Sequence, residues 1–497
     1  MDEEYLNSKK NNRNVFTHKL QITRVGQKSL QNKNFGVILL LLVMFAGIFS
    51  FSSAFSSLRN TVFIKSTGQI ATVNIPARSG SPEDIQAAVD AVAAAGGGTV
   101  HVPAGTFDWD DETVRIREDD ITIKGAGIDV TILNQTHDAA GGGFDDMFYF
   151  TNCENVAISY MTIKGLCTND AGQVDGTGIM FLNCIDFRIH HCKLLDCPEA
   201  AVDVRSNNPT MACRGLIDHC IIDNPYKSIY GGAWAYGVQV KSTAYSPTYW
   251  DDDISHFLGK YETIPTASPS VYIEDCEIYR TRHTIASNQL GWYCLRYNTL
   301  DQINANSMVD IHGGRDEGTA ICGGRGLEAY NNILNHHGTG FGFFTRGGDG
   351  AIYNNTITNV PTAIRLTLDD ATDPEPTRPM FLWDNTFKSV QTEYDINQAY
   401  FTEDVDYFFR APNQEDDGFT YTPYTYPHPL VGEEEEEQPE NSTVLNQPSE
   451  NANIDYLNVA FNYTQIFYQG SIFNSTVGAN VSDSWRARSQ KAKAITV

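Results

Sequence analysis

The stretch that decides the fold is FYFTNCENVAISYMTIKG (residues 148–165), which aligns at an offset of 31 residues with IMFLNCIDFRIHHCKLLD (residues 179–196). The same unit, a short apolar strand beside an Asn or Cys, returns at Cys192, Cys220, Cys276, Asn298, Asn332, Asn355 and Asn385, with spacings of 28, 56, 22, 34, 23 and 30 residues. Apolar residues alternate with period two inside each unit, which indicates strands and argues against helical repeats. The repeat therefore predicts an all-β solenoid, a single-stranded parallel β-helix whose coils stack about 4.8 Å apart.

The recurring Asn and Cys residues mark one corner of each coil. An Asn at this corner can bridge successive backbones through its side-chain amide, and a Cys fits an inward ladder of small apolar thiols. All ten cysteines lie between Cys153 and Cys322. Stacked inward cysteines are also within reach of one another for a disulfide, so one or two bridges are an open alternative.

A helix is predicted before the first coil. In SPEDIQAAVDAVAAAG (residues 81–96), Ser81 is a good N-cap, Pro82 suits the first helical position and Gly96 ends the helix. The run DIQAAVDAVAAAGGGTVHVPAGTF (residues 84–107), followed by ITIKGAGIDVTIL (residues 121–133), resembles the opening of the pectin-lyase-like superfamily. The closing run YTPYTYPHPLV (residues 421–431) resembles the ending of some right-handed β-helix repeat proteins.

This resemblance implies a right-handed β-helix with a helix that caps its N-terminal end. The superfamily includes pectate and pectin lyases, polygalacturonases, other glycan-active enzymes and non-enzymatic surface proteins. The resemblance therefore implies a carbohydrate-binding protein and leaves its activity open.

The N-terminal segment predicts export. Residues 1–34 carry a net charge of +4, and residues 35–58 contain no charged side chain over 24 positions. This length and the basic flank predict a transmembrane helix that acts as a signal anchor, with the tail cytoplasmic and the remainder outside the cell membrane. A cleaved signal peptide, which would give a secreted protein, is the alternative.

Four regions follow from these patterns. We expect a basic cytoplasmic tail at 1–34, a single-pass transmembrane helix at 35–58, a right-handed parallel β-helix at 68–431, and an acidic linker with a polar tail at 432–497. Four of the six N-x-[ST] sequons lie in the last 57 residues, as is typical of an exposed segment of a glycoprotein.

The formal net charge of −26 is unevenly distributed, because a tail of +4 leaves −30 for the rest of the chain. A nucleic-acid partner is excluded on this basis, since sequence-independent binding to phosphates needs clustered Lys and Arg.

Aligning the coils by their corners places a row of polar residues on the outer face of one sheet. Val202, Val204, Val238, Val240, Val309, Ile311 and Ile364 are predicted to point inward. The residues between them should point outward: Asp203, Arg205, Gln239, Lys241, Asp310, His312 and Arg365, with Thr284 and Ala286 as equivalents in the coil that follows Arg282 and His283. Nearby loops add Arg315, Asp316, Arg325, His336, His337, Arg346 and Asp349, and the aromatic residues Trp234, Tyr236, Trp292 and Tyr293 could stack on sugar rings.

Such a row suits an acidic polysaccharide, and two reactions compete. β-Elimination needs a cation to neutralise a uronate carboxylate and a base to remove the adjacent ring proton. Lys241, Arg282, His283, Asp310 and His312 are the candidate catalytic residues, and Asp203, Arg205, Gln239, Arg315, Arg325 and Arg346 the candidate substrate-binding residues. Ca²⁺ could supply the neutralising charge, although no dense carboxylate cluster like that of typical pectate lyases is present and no metal ligands are assigned.

Hydrolysis needs two carboxylates, for which Asp310 and Asp316 are the candidates. The paired aspartates and Gly-His-Gly motif of polygalacturonases are absent, so lyase-like β-elimination is preferred. The hypothesis is a membrane-anchored extracytoplasmic β-helix that binds and cleaves an acidic polysaccharide. The alternative is a non-catalytic cell-surface, adhesion or envelope protein that binds a glycan.

Overall fold

Three long parallel sheets build the structure, a computed structural model that describes residues 73–136, 146–166, 176–208, 213–224, 234–242, 254–261, 270–303, 307–313, 323–368 and 379–432. The predicted tail, transmembrane helix and sequon-rich segment lie outside these residues, as do Arg315 and Asp316. No helix among the described residues is long and apolar enough to cross a membrane.

The strands are numbered in chain order, and successive strands fall in different sheets. Sheet A contains β1 (Val73–Pro76), β2 (Gly98–His101), β5 (Ile121–Lys124), β8 (Ala157–Ser159), β11 (Ile185–His190), β14 (Arg214–Asp218), β17 (Ser270–Glu274), β20 (Trp292–Arg296), β23 (Gly326–Tyr330), β26 (Asp349–Tyr353), β29 (Met380–Trp383) and β32 (Tyr407–Phe408). Sheet B contains β3 (Gly105–Trp109), β6 (Thr131–Gln135), β9 (Thr162–Lys164), β12 (Lys193–Leu195), β15 (Ile221–Asp223), β18 (Glu277–Tyr279), β21 (Thr299–Gln302), β24 (Ile333–His336), β27 (Thr356–Thr358) and β30 (Thr386–Lys388). Sheet C contains β4 (Val114–Ile116), β7 (Phe148–Thr151), β10 (Thr177–Leu182), β13 (Ala200–Ser206), β16 (Tyr236–Ser242), β19 (Ile285–Asn288), β22 (Val309–Ile311), β25 (Phe341–Thr345), β28 (Thr362–Leu366) and β31 (Thr392–Ile396).

Each coil gives one strand to each sheet, and the strands of neighbouring coils pair in parallel. The predicted all-β parallel solenoid is therefore confirmed, and the resemblance to the pectin-lyase-like superfamily holds at the level of this fold. Inward residues such as Ile123, Ile158 and Ile189 occupy equivalent positions in successive coils and are fully buried in one core.

The corner Asn residues bridge coils as predicted. The side-chain amides of Asn298, Asn332 and Asn355 each donate to the Oδ1 of the next corner Asn, at 3.0, 2.9 and 3.0 Å, and Asn385 ends the series. These buried groups satisfy each other and neighbouring backbone atoms, which fixes the alignment of the corners. In the N-terminal coils, buried cysteines take the same position, and all eight described cysteines are free thiols.

Helix α1 (Pro82–Ala94) has the expected start, because the Ser81 side chain accepts a hydrogen bond from the Asp84 N–H at 3.3 Å. Its apolar side, with Ile85, Val89 and Val92, is buried in the main core and contacts β1, β2 and β4. A shorter helix α2 (Gln414–Asp417) and two 3₁₀ turns (Ile254–His256 and Pro429–Val431) complete the described elements.

The C-terminal strap, residues 418–432, crosses the outer face of sheet A. The buried Arg296 guanidinium donates to the carbonyl oxygens of Tyr424 and Thr425 at 2.8 and 2.9 Å, and the His428 N–H donates to Glu274 at 2.8 Å. Side chains of the strap and of residues 254–261 bury a second apolar cluster on this face. The outer face of sheet A is therefore occupied by the chain itself.

Replacing Asn332 by Ala should lower the free energy of unfolding by about 2 kcal/mol or more, because the Asn298 N–H and the Leu295 carbonyl would lose a buried partner. Urea unfolding followed by circular dichroism measures the change. Ile333→Thr is the matched control, since the adjacent Ile333 is 53% exposed and Thr keeps a β-branched side chain. Equal stability of Asn332→Ala and wild type would contradict the role given to the ladder.

Candidate functional site

A continuous row of outward residues crosses sheet C, and we call it the track. Register partners in successive strands place these residues in line: Tyr149, Met180, Asp203, Gln239, Ala286, Asp310, Phe344 and Arg365. The residues predicted to point inward, from Val202 to Ile364, are buried in the core. The alternation predicted for this sheet is therefore correct.

One coil is displaced by two residues from the predicted alignment. Ala286 pairs with Gln239 and Asn288 with Lys241, whereas Thr284 is buried at the corner and its hydroxyl accepts a hydrogen bond from Gln302 at 3.1 Å. The expectation that Thr284 points outward is thus wrong. A small side chain at Ala286 instead separates two polar groups of the track.

The first polar group is the central cluster, formed by His283, Asp310, His312 and Arg346. One donor atom from each of His283, Asp310 and His312 lies within 4.8 Å of the others. The fully buried Asp310 carboxylate contacts His312 Nε2 at 3.3 Å and accepts a hydrogen bond from the Arg346 guanidinium at 2.9 Å. Predicted residues from two adjacent coils and from the loop after β25 are therefore brought together.

The protonation state of His283 follows from its surroundings. Its Nδ1 lies 2.7 Å from the Ser307 carbonyl oxygen, which can only accept, so Nδ1 carries the hydrogen and Nε2 the lone pair. Burial lowers the pKa of His283 to about 4, although the negative charge of Asp310 acts in the opposite direction. The ring is thus neutral at physiological pH.

Asp310 is the anion of the central cluster. Burial raises the pKa of this carboxyl, but His283, His312 and Arg346 outweigh burial and hold the pKa below its ordinary value. A buried carboxylate that remains ionised can orient the imidazole of His312 and hold Arg346 at the surface of the sheet.

Aromatic rings and guanidinium groups flank the central cluster on both sides. On the N-terminal side, the Arg282 guanidinium lies over the rings of Trp234 and Tyr236, at 4.6 and 5.4 Å from their centroids. On the C-terminal side, Arg346 lies over Phe344 at 5.1 Å and Arg365 over Phe341 at 5.3 Å. Stacking surfaces and positive charges therefore alternate along the track.

The second polar group, the acidic cluster, contains Asp146, Glu199 and Asp203 with the cations Arg205 and Lys241. Arg205 bonds to Glu199 and Asp203 at 2.9 and 2.5 Å, and Lys241 lies 3.7 and 3.6 Å from the same two residues. Burial, followed by the charge of Asp203, raises the pKa of Asp146 to about 7. Gln239 accepts a hydrogen bond from Lys241 at 3.0 Å, so four predicted residues meet here. Two strand spacings, roughly 10 Å, separate Gln239 from Asp310.

Several predicted residues lie elsewhere. Arg325, predicted to bind substrate, is fully buried and pairs with Asp349. The ring of Phe257, in the segment that covers sheet A, lies over its guanidinium at 3.9 Å. Arg325 leaves no side-chain surface for a ligand, and neither does Asp203, which is also fully buried, so the expectation that these two residues bind substrate directly is wrong. Trp292 is also buried under the covering of sheet A, and Tyr293 is in the core.

The paired histidines lie on sheet B instead. His336 is buried and its Nδ1 accepts from the Gly338 N–H at 2.8 Å, while His337 is half exposed.

The central cluster offers two imidazoles and one carboxylate. Such a set suits a transition metal ion such as Zn²⁺, whereas Ca²⁺ takes about six to eight oxygen ligands. Arg346 adds a positive charge to the same carboxylate oxygen that His312 contacts. The described residues of this cluster therefore do not fit the Ca²⁺ considered from the sequence.

Some residues of the site were not predicted. Ser307 orients His283, Phe341 and Phe344 form the second stacking surface, and Asp146 and Glu199 complete the acidic cluster. The alternation in FGFFT (residues 341–345) could have identified Phe344, whereas Asp146 and Glu199 lie just before their strands and follow no repeat pattern.

Because the folded protein holds His283 neutral down to about pH 4, the unfolded chain binds one more proton between that pH and about 6.5. Stability should therefore fall as the pH decreases through this window, by up to about 3 kcal/mol for this group. His283→Gln should flatten the slope of the free energy of unfolding against pH, and His337→Gln should leave it unchanged. Identical slopes for wild type and His283→Gln would contradict the assignment.

No family model matches the chain. A stretch of 100 residues is 35% identical to a mannuronan C5-epimerase of Azotobacter vinelandii, and it covers 18% of this chain and 5% of that protein. Among solved structures, an alginate lyase from Paenibacillus sp. is similar at 15% identity and a TM-score of 0.44, covering 65% of this chain and 99% of that one. An exopolygalacturonase from Thermotoga maritima is similar at 15% identity and a TM-score of 0.40, covering 67% and 86%. These similarities to solved structures concern the fold and not the activity.

Proposed function

We propose that the chain binds an acidic polysaccharide along the track and cleaves it by β-elimination. The observation that carries this proposal is the central cluster, in which ionised, neutral and cationic side chains meet between two surfaces of stacked rings and guanidinium groups. Aromatic faces pack against the apolar faces of sugar rings, and guanidinium groups pair with carboxylates.

The reaction needs three groups: a cation at the uronate carboxylate, a base for the adjacent ring proton, and an acid for the leaving oxygen. We assign the cation to Arg346, whose side chain is 13% exposed and whose guanidinium is held by Asp310. We assign the base to His312, which is 14% exposed and contacts Asp310 through Nε2. His312 would take the ring proton and could return it to the leaving oxygen, and the Asp310 carboxylate, 3.3 Å from Nε2, would stabilise the imidazolium that forms.

The remaining catalytic candidates act in support under this proposal. Arg282 would bind a neighbouring carboxylate beside Trp234, and neutral His283 would accept a hydrogen bond from a sugar hydroxyl through Nε2. Lys241 is engaged with Gln239 and lies in the acidic cluster, so it would contact a sugar farther along the polymer. The partial likeness to a mannuronan C5-epimerase supports a uronic acid polymer as the substrate class.

Hydrolysis has less support. Asp310 is fully buried, ionised and bonded to Arg346, so it is not placed as a proton donor to a leaving oxygen. The second carboxylate considered for this reaction, Asp316, lies outside the described residues.

A non-catalytic glycan-binding protein of the cell surface is the second candidate. The pairing of Asp203 with Arg205, and of Asp310 with Arg346, favours it, because paired charges also build a rigid binding face without any reaction. Glycan binding without turnover would support this candidate.

We further propose that residues 35–58 anchor the chain in the cell membrane with the β-helix outside, and that helix α1 closes the first coil. The uncharged run and its basic flank support the anchor. The apolar contacts of α1 with β1, β2 and β4 support its capping role.

The full chain, purified in detergent, should release unsaturated uronate ends from one member of a panel of uronic acid polymers, followed by ultraviolet absorbance. His312→Ala should lower kcat by about 100-fold or more, because general base catalysis is lost. His337→Ala is the control on another sheet. Full activity in His312→Ala, or saccharide release without unsaturated ends, would refute the proposed elimination.

Trp234→Ala should raise KM by roughly 2- to 10-fold with little effect on kcat, since one stacked ring is removed from a site away from the reacting atoms. Steady-state kinetics on the same polymer measures both constants. Phe409→Ala, which removes a 45% exposed ring outside the track, should change neither. Unchanged KM in Trp234→Ala would place the polymer elsewhere.

A further inference from the structure

We propose that Cys153 and Cys184 form a disulfide that joins two successive coils when the chain folds in an oxidising compartment. Their Sγ atoms lie 3.2 Å apart, and both side chains are fully buried. This site of covalent modification is separate from the proposed reaction and does not depend on it.

The fold holds the two cysteines in line. Cys153 follows β7 by two residues and Cys184 follows β10 by two residues, and these strands pair in register up to Thr151 and Leu182. Neighbouring parallel strands are about 4.8 Å apart, which lies inside the range of about 4.4–6.8 Å between the Cα atoms of a disulfide.

Polar contacts on both sides of the pair fix this corner. The Asn183 amide donates to Asn152 Oδ1 at 3.0 Å, and the Ile185 N–H donates to the Cys153 carbonyl at 3.0 Å. Because the two Sγ atoms are held 3.2 Å apart, they need to approach by only roughly 1 Å to reach the disulfide bond length of about 2.05 Å.

Other buried thiols contact backbone atoms. A backbone carbonyl oxygen lies 3.2–3.8 Å from the Sγ of Cys192, Cys197, Cys213, Cys220 and Cys276, and Cys213 Sγ accepts a hydrogen bond from the Cys184 N–H at 3.4 Å. Cys220 and Cys276 occupy the same corner, between sheets A and B, in two successive coils. The Cys220 N–H points at Cys276 Sγ at 3.4 Å. This second stack is therefore a matched internal comparison for the proposed pair.

The oxidation requires a disulfide as oxidant, either in a small molecule or in an oxidoreductase. One cysteine thiolate attacks the oxidant, forms a mixed disulfide and releases one thiol; the second thiolate then attacks the cysteine sulfur and releases the other thiol. Two electrons pass to the oxidant, and the two thiol protons end on the released thiols. Because both sulfurs are buried in the folded chain, the exchange must take place while these coils are still forming.

The bond would close a loop of 31 residues that ends one coil before Asp203. Constraining the unfolded chain in this way stabilises the folded state. The start of the track would thus be held by a covalent link as well as by backbone hydrogen bonds.

The test refolds the full chain with oxidised and reduced glutathione and digests it without reduction. Mass spectrometry should find a peptide containing residue 153 linked to one containing residue 184, lighter by two hydrogens than the separate peptides. Thiol labelling in denaturant should count two fewer thiols than in the reduced chain, and the oxidised chain should have the higher Tm.

Cys153→Ser and Cys184→Ser should each abolish the linked peptide and the rise in Tm on oxidation, whereas Cys220→Ser should retain both. The linked peptide in the wild type is independent evidence should a serine variant not fold. A natively folded, oxidised wild type that lacks this peptide, or that links Cys220 to Cys276 instead, would overturn the proposal.

Discussion

The parallel hydrogen bonding between successive coils is the constraint on which the rest of the structure depends. It repeats each outward position about every 4.8 Å, so that Gln239, Ala286 and Asp310 form one line although 71 residues separate the first from the last. The buried amides of Asn298, Asn332 and Asn355 fix where each coil turns, and a coil that turned one residue later would send Asp310 into the core.

The outer faces of sheet A and sheet C differ in the side chains and segments that lie on them. The C-terminal strap covers sheet A, with Arg296 and Glu274 bonded to its backbone. Sheet C instead carries ionised groups on its outer face, although burying a carboxylate such as Asp310 costs free energy unless cations compensate for it. Arg346 and Arg205 supply that compensation at the two polar clusters and still remain partly exposed. This combination makes the face of sheet C, and not that of sheet A, the one suited to a charged polymer.

Local patterns were sufficient to predict the solenoid, the Asn and Cys ladders and most of the track, because a strand period of two and a corner residue are visible in one coil. Thr284 was wrongly predicted to point outward because the length of the corner before sheet C varies, from twelve residues before β16 to five before β19 and six before β22, so the register of that coil does not follow from its corner residue. Arg325 was predicted to lie beside the track, but it directly precedes β23 and so lies at sheet A. The sequence around Arg325 does not show that Phe257 covers it. The contact of Arg296 with Tyr424 spans 128 residues, and no local pattern reports a contact of that kind.

The formal charge of −26 is compatible with an anionic ligand only if that ligand meets a locally basic surface. Arg282, Arg346 and Arg365 provide such a surface on one face. Hydrogen–deuterium exchange of the full chain, with and without a saturating oligouronate, tests this placement directly. Slower exchange should be confined to peptides of the track and its flanks, from residues 234–242, 282–288, 307–313, 341–346 and 362–366. Protection on sheet B, or protection at the C-terminal strap without any change in sheet C, would contradict it.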